Sequence, residues 1–241
     1  MAKRMAAAQT EVPGRPGTRL WHVVVPLKPL ALAKSRLGPA AGEPGRGRLA
    51  LAFALDTVGA ALACPAVGSV TVVTDDAEAA ERLAAAGARV VPDDPRAGLN
   101  AALAHGERRV RAERPGAAVA ALNADLPALR PAELARVLDG VPDGGPGGAA
   151  GGGRAFLADA PGAGTTLLAA GAGVALAPGF GGASRARHLA SGAREIGLAG
   201  VDSVRQDVDT GADLRAALAL GVGPHTAAAL ARLAVGDGVC R

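Results

Sequence analysis

The stretch AAVAALNADLPAL, Ala117 to Leu129, restricts what this chain can fold into more than any other part of it. Ala117 to Leu122 is a run of small and apolar residues, short enough for a strand and without polar alternation, so it reads as a central strand buried on both faces. Pro127 has no N–H to donate to a ladder, so the chain must leave the sheet beside Asp125. That sets one carboxylate at a strand's carboxyl end. Ligands of open α/β sheets collect in the crevice beyond such ends, where a carboxylate is a natural Mg2+ ligand; the same Asp also suits the end of a strand and the capping of a turn.

A strand buried on both faces needs neighbours and two covering layers, and the rest of the chain offers them. WHVVVP, a β-branched run stopped by Pro26, is the first strand, and a loop carrying Lys28, Lys34, Ser35 and Arg36 follows. Leu51, Leu55, Val58 and Leu62 then recur at helical spacing, which predicts an amphipathic helix over 48–63. The unit repeats: VGSVTVVTDD gives a second strand, Asp76 caps a helix closed by Gly87, ARVVPDDP is a short third strand, and a helix runs from about Leu99 to Glu113. Pro131 is placed as the first residue of another helix. Strands alternating with helices at this spacing predict an α/β fold, a largely parallel sheet with helices on both faces. Beyond the glycine-rich stretch 139–153, read as a flexible insertion, RAFLADA and GTTLLAA are expected strands. A short helix follows, then helices after DVDT and from Pro224.

At 241 residues the chain can bury a substantial core, and one domain over 20–234 is expected, preceded by a disordered tail over 1–19. Only 2 % of residues are aromatic and none is Tyr, so the core must be Ala, Val and Leu. Residues 1–19 hold Lys3, Arg4, Arg15 and Arg19 against Glu11, a net +3, which leaves +1 of the chain's +4 for the remainder. A nearly neutral body without aromatic platforms argues against nucleic-acid binding. The longest apolar run, Leu167 to Phe180, is broken by Gly and Pro and is too short for a membrane helix. No signal-peptide core is evident near the start, and two distant cysteines, Cys64 and Cys240, fit a reducing cytoplasm.

No GxSxG, HExxH, Walker A or strand-linked GxGxxG sequence is present, so the usual nucleophile and metalloprotease sites are excluded. Four features remain: the basic loop, Asp125, a Thr, Gly and Ser set at Thr165, Thr166, Gly181, Gly182 and Ser184, and the pair Asp207 and Asp209. Each has a plain structural reading as well. Solvated lysines, β-forming threonines, an ordinary turn, and a helix N-cap by Asp209 or Thr210 account for them singly. Together they match phosphate chemistry, in which an anionic phosphate attacks another phosphorus without a protein nucleophile. Two unit charges at about 4 Å repel by roughly 4 kcal/mol at an effective dielectric near 20, so metal ions and Lys or Arg side chains must offset that repulsion.

In this order, VPLKPLALAKSRLG, VTVVTDD, GLNAALAHG, LNADLPAL, GTTLL, FGGASRARHLASGA and DVDTGADL resemble the guanylyltransferases of coenzyme F-420 biosynthesis, which activate 2-phospho-L-lactate or phosphoenolpyruvate with GTP. The resemblance spans Trp21 to Leu233. It implies the Rossmann-like nucleotidyltransferase fold, with GTP and Mg2+ as requirements and pyrophosphate as a product. By resemblance, Lys28, Lys34, Ser35 and Arg36 hold the GTP phosphates, with Lys28 and Arg36 acting in catalysis, and Thr74 and Asn100 lie on the nucleotide side. Asp125 is the first metal carboxylate and Asp207 or Asp209 the second. Thr166, Gly181 and Ser184 hold the acceptor. Bacterial composition favours phosphoenolpyruvate as that acceptor, and a downstream transferase would receive an unstable product. The glycine-rich LxGGxSxRMG loop of molybdopterin-type guanylyltransferases is absent after strand one. A non-catalytic nucleotide-binding protein is the reading from another class.

Overall fold

The structure, a computed structural model, describes residues 19–32, 42–94, 96–142 and 153–238. Residues 1–18 of the tail expected over 1–19 and most of the glycine-rich stretch lie outside these residues, as do Lys34, Ser35 and Arg36.

Strand and helix alternate through the first half: β1 (Trp21–Pro26), α1 (Gly42–Leu62), β2 (Val67–Val73), α2 (Ala77–Ala85), β3 (Arg89–Val91), α3 (Leu99–Glu113), β4 (Ala118–Leu122) and α4 (Pro131–Asp139). Local chemistry sets the ends. Asp76 accepts from the Ala79 N–H at 3.0 Å and caps α2, and Gly87 leaves that helix at φ +100°. The second half holds β5 (Arg154–Ala158), β6 (Thr165–Ala170), α5 (Ser184–Ala190), β7 (Arg194–Glu195), α6 (Asp202–Arg205), α7 (Gly211–Leu220) and α8 (Pro224–Gly238). β7 and α6 are too short to carry a period, and the sequence gives no sign of them.

Seven strands form one sheet in the order β3-β2-β1-β4-β6-β5-β7. β1 pairs in parallel with β2 and β4, β2 with β3, and β5 with β7, whereas β6 runs antiparallel to both β4 and β5. The strands are apolar on both faces because both are covered. Val23, Val25, Ala120 and Leu122 join α1, α2 and α4 on one side, while Val24, Val119, Ala121 and Phe156 join α3 on the other. The α3 face is close-packed: a Cβ at Gly106 would lie 2.4 Å from Cγ1 of Val24 and 2.9 Å from Cγ2 of Val73.

α1 departs from the expected one-sided helix over 48–63. It begins at Gly42 and is buried continuously from Leu49 to Val58. Leu51, Leu55 and Val58 face the sheet, and Leu49 and Phe53 belong to a further core with Ala128, Val208 and Ala217, against which Leu230 and Leu233 pack. α7 and α8 thus add an outer layer over α1, and a helix covered on two sides is apolar nearly all round. Asp56 of α1 fastens α8, accepting from the N–H groups of His225 at 3.0 Å and Thr226 at 2.8 Å. No described helix is long and apolar enough to cross a membrane.

The chain runs from β1 outward through β2 and β3, then crosses to β4 on the other flank of β1. The carboxyl ends of β1 and β4 are therefore the place where the winding reverses, and a crevice opens there.

Candidate active site

A cleft of about 460 Å3 lies at that reversal. One wall comes from the end of β1, Pro26, Leu27 and Lys28, and one from the end of β4, Asn123, Ala124 and Asp125. Because β6 is antiparallel, its first residues arrive at the same edge, and Gly164, Thr165 and Asp159 of the β5–β6 turn line the cleft too. Phe180, Gly181, Gly182 and Ser184 close another side, with Asp207 and Asp209 completing the wall.

Asp125 is held by its neighbours' backbones. The Asn123 N–H donates to the Thr166 carbonyl at 3.0 Å, a last rung toward β6. The Leu126 N–H donates to Oγ1 of Thr57 at 3.0 Å, and that buried hydroxyl lies 3.2 Å from the Ala124 carbonyl, so α1 grips the chain on either side of Asp125. The Val208 N–H donates to the Asp125 carbonyl at 3.0 Å. This single main-chain bond brings the segment with Asp207 and Asp209 against Asp125. Thr210, not Asp209, caps α7: its Oγ1 accepts from the Asp213 N–H and the Asp213 carboxylate accepts from the Thr210 N–H.

Three carboxylates from two segments on one wall are oxygen donors of the kind a hard divalent cation prefers. Among the described residues no group of three or more His, Cys, Asp or Glu side chains is placed to hold a metal ion by itself. Mg2+ does not need one, since it is commonly held by one or two carboxylates with substrate phosphates and water supplying the rest. The donor set fits.

The glycine turn supplies polar backbone. Gly181 and Gly182 adopt φ of +95° and +46°, a region open to glycine at little cost, and the buried Ser184 starts α5. Asn100 is placed behind this turn rather than on the cleft wall, accepting from the Phe180 N–H at 2.7 Å and donating to the Phe180 carbonyl at 3.1 Å. Thr74 is also off the wall. It is buried, and its Oγ1 accepts from the Asp76 N–H at 3.1 Å.

Thr166, the threonine expected at the acceptor, is fully buried and does not line the cleft; Thr165 does. The reason is a register shift in the β5–β6 ladder. Leu157 pairs with Leu167 but Ala158 pairs with Thr165, so Thr166 is the extra residue of a bulge that re-aims its neighbour. No motif in the sequence gives Asp159, Asn123 or Thr57 a role. Asp159 accepts from the N–H groups of Ala163 and Gly164, which shapes the turn, and only the short spacing to Gly162 and Gly164 hinted at it.

Residues 21–236 match the family described as guanylyl transferase CofC like. The chain belongs to this family. Among the CofC-like proteins similar to it, the phosphoenolpyruvate guanylyltransferase of Streptomyces coelicolor is 65 % identical over 215 residues, covering 89 % of this chain and 98 % of that protein. The phosphoenolpyruvate guanylyltransferase of Thermomonospora curvata is 60 % identical over 213 residues, covering 88 % and 90 %. Solved structures show the same fold at low identity. A nucleotidyl transferase from Methanothermobacter is 21 % identical with a TM-score of 0.50 and covers 83 % of this chain and 97 % of that one. A putative nucleotide-diphospho-sugar transferase from Desulfovibrio desulfuricans is 13 % identical with a TM-score of 0.52, covering 83 % and 96 %. The mixed seven-stranded sheet is thus the nucleotidyltransferase form of the Rossmann-like fold, as expected for a CofC-like guanylyl transferase.

Proposed function

We propose that this chain joins GMP from GTP to the phosphate of phosphoenolpyruvate, releasing pyrophosphate, as a cytoplasmic step in coenzyme F-420 biosynthesis. The observation that carries the reading is the bond from the Val208 N–H to the Asp125 carbonyl, which sets acids from two distant segments on one cleft wall. A phosphate oxygen of the acceptor attacks the α-phosphorus of GTP in line. A new P–O–P bond forms as the α–β bond breaks, and the electron pair leaves on pyrophosphate.

Asp125 with Asp207 or Asp209 would hold Mg2+, which when bound offsets charge on the triphosphate. Lys28 stands just beyond β1 on the cleft wall to take the leaving phosphates, a role that the family resemblance gives also to Lys34, Ser35 and Arg36. Thr165, Gly181 and Ser184 bind the acceptor's carboxylate and phosphate. Asn100 fixes Phe180 so that the glycine turn keeps its shape, and Thr74 braces the turn into α2 on the nucleotide side. 2-Phospho-L-lactate is the second acceptor to try. The names of the relatives at 60–65 % identity favour phosphoenolpyruvate. The product is a reactive mixed ester and anhydride, and a transferase that consumes it directly is the expected partner.

The test is pyrophosphate release from the full chain with GTP, Mg2+ and each acceptor, the consuming transferase being present to draw off product. Asp125→Ala should abolish release while leaving the circular dichroism unchanged. Undiminished turnover in that variant would refute the assignment.

A further inference from the structure

His188 belongs to none of the groups assigned above to nucleotide, metal or acceptor, yet it is buried, 1 % exposed, on α5 directly behind the cleft wall. Phe156 and Phe180 hold the ring, with centroids at 5.5 Å and 5.2 Å. Burial, with the charges of Arg154 and Arg187 adding to it, pushes its pKa down to about 4, so the ring is neutral at neutral pH.

Each ring nitrogen has one partner. The Gly179 backbone N–H, which can only donate, meets Nε2 at 3.0 Å, so Nε2 carries the lone pair. A neutral imidazole has one proton, which must then be on Nδ1, 3.0 Å from Oγ1 of Thr165. The Thr165 oxygen therefore accepts from the ring. A lone threonine hydroxyl can rotate to offer either a proton or a lone pair, but one that already accepts from an imidazole is biased to offer its proton elsewhere. Thr165 lines the cleft, and an anion there presents only acceptor oxygens.

We propose that His188 is a positioning residue that fixes the Thr165 hydroxyl as a donor toward the anionic oxygens of the acceptor phospho-acid. This rests on the functional reading above, which brings such an acid to the cleft. The same ring also ties the Gly179 backbone to β6, so the threonine and the glycine turn are set by one side chain.

The test uses the full chain and compares wild type with His188→Leu, His188→Asn, Thr165→Val and the Leu–Val double variant. A hydrogen bond to a charged group is involved, so His188→Leu should raise KM for phosphoenolpyruvate at least about tenfold, with KM for GTP unchanged. His188→Asn should recover most of that loss, because its amide N–H can take the place of Nδ1–H. In the Thr165→Val background His188→Leu should add much less than it costs in the wild type, the remainder being its bond from the Gly179 N–H. Equal rises in both KM values, no rescue by Asn, or full additivity would overturn the inference. A wild-type chain that releases no pyrophosphate with either acceptor sinks the functional reading instead. His188 is then judged by the long-range 1H–15N spectrum of labelled wild-type protein at pH 7, titrated with phosphoenolpyruvate. A neutral Nδ1–H tautomer whose resonance moves with the ligand supports the inference. An Nε2–H tautomer, a charged ring, or no response overturns it.

Discussion

Thr165 and Thr166 are adjacent and chemically alike, yet the bulge opposite Ala158 gives them opposite surroundings. Oγ1 of Thr166 is buried and has no hydrogen-bond partner among the described residues. Replacing it by the isosteric Val removes an unmet polar group, so Thr166→Val should keep its turnover and gain up to about 1 kcal/mol of stability. Denaturant melts and pyrophosphate release check both halves, and a variant that loses turnover would put Thr166 back at the acceptor. Sequence alone could not separate the two threonines, because period-two reasoning assumes an unbroken ladder and one extra residue inverts its phase. His188 was equally hard to find, since its role depends on a backbone N–H and a hydroxyl brought from two other segments. Its titration makes a further prediction. The unfolded ring titrates near 6.5 and the native one at about 4, so between those values the unfolded chain binds a proton that the native chain refuses. Stability should be full above pH 6.5 and decline as pH falls toward 4, by an amount on the order of 3 kcal/mol. The pH dependence of denaturant melts should be shallower in His188→Asn, and equal slopes would count against the assignment.

Among the elements, the strands and helices of the first half were legible because each repeats a clear period and ends in recognisable chemistry, such as Asp76, Gly87 and Pro131. α1 is longer, and apolar on more of its surface, than the period over 48–63 predicts. Its second apolar face, Leu49 and Phe53, is explained only by α7 and α8, which come from the far end of the chain. Two substitutions test how the helices are seated. Gly106→Ala drives a methyl into Val24 and Val73, and overpacking of that kind should cost about 1–3 kcal/mol in a denaturant melt, with no change expected if α3 can lift away. Thr57→Val strands the buried Leu126 N–H, which should cost about 1–3 kcal/mol, and it should also slow pyrophosphate release because the backbone around Asp125 loses its brace. A loss of stability with full turnover would show that α1 supports the sheet but not the site.

Across the whole molecule, the site owes its position to the sheet order. β1 and β4 are neighbours although β2 and β3 intervene in the chain, and the reversed β6 returns Thr165 to the same edge. The position of Asp125 was readable from one apolar run and one proline. That Asp207 and Asp209 share its wall was not, because a main-chain bond leaves no mark in residue type. Withdrawal of Mg2+ by a chelator should stop pyrophosphate release yet leave the thermal melt unchanged, since the layers are held by apolar packing and, among the described residues, no group of three or more His, Cys, Asp or Glu side chains is placed to hold a metal ion by itself. A large drop in melting temperature would instead give the cation a structural part.

The link through Val208 also bears on when this protein can begin to work during its synthesis. A nascent chain that has emerged only as far as β6 has made the strands that shape the crevice but lacks its later acids. Competence waits for a segment made after β6, and a prolyl residue at 208, having no amide hydrogen, would withhold it without altering a single carboxylate.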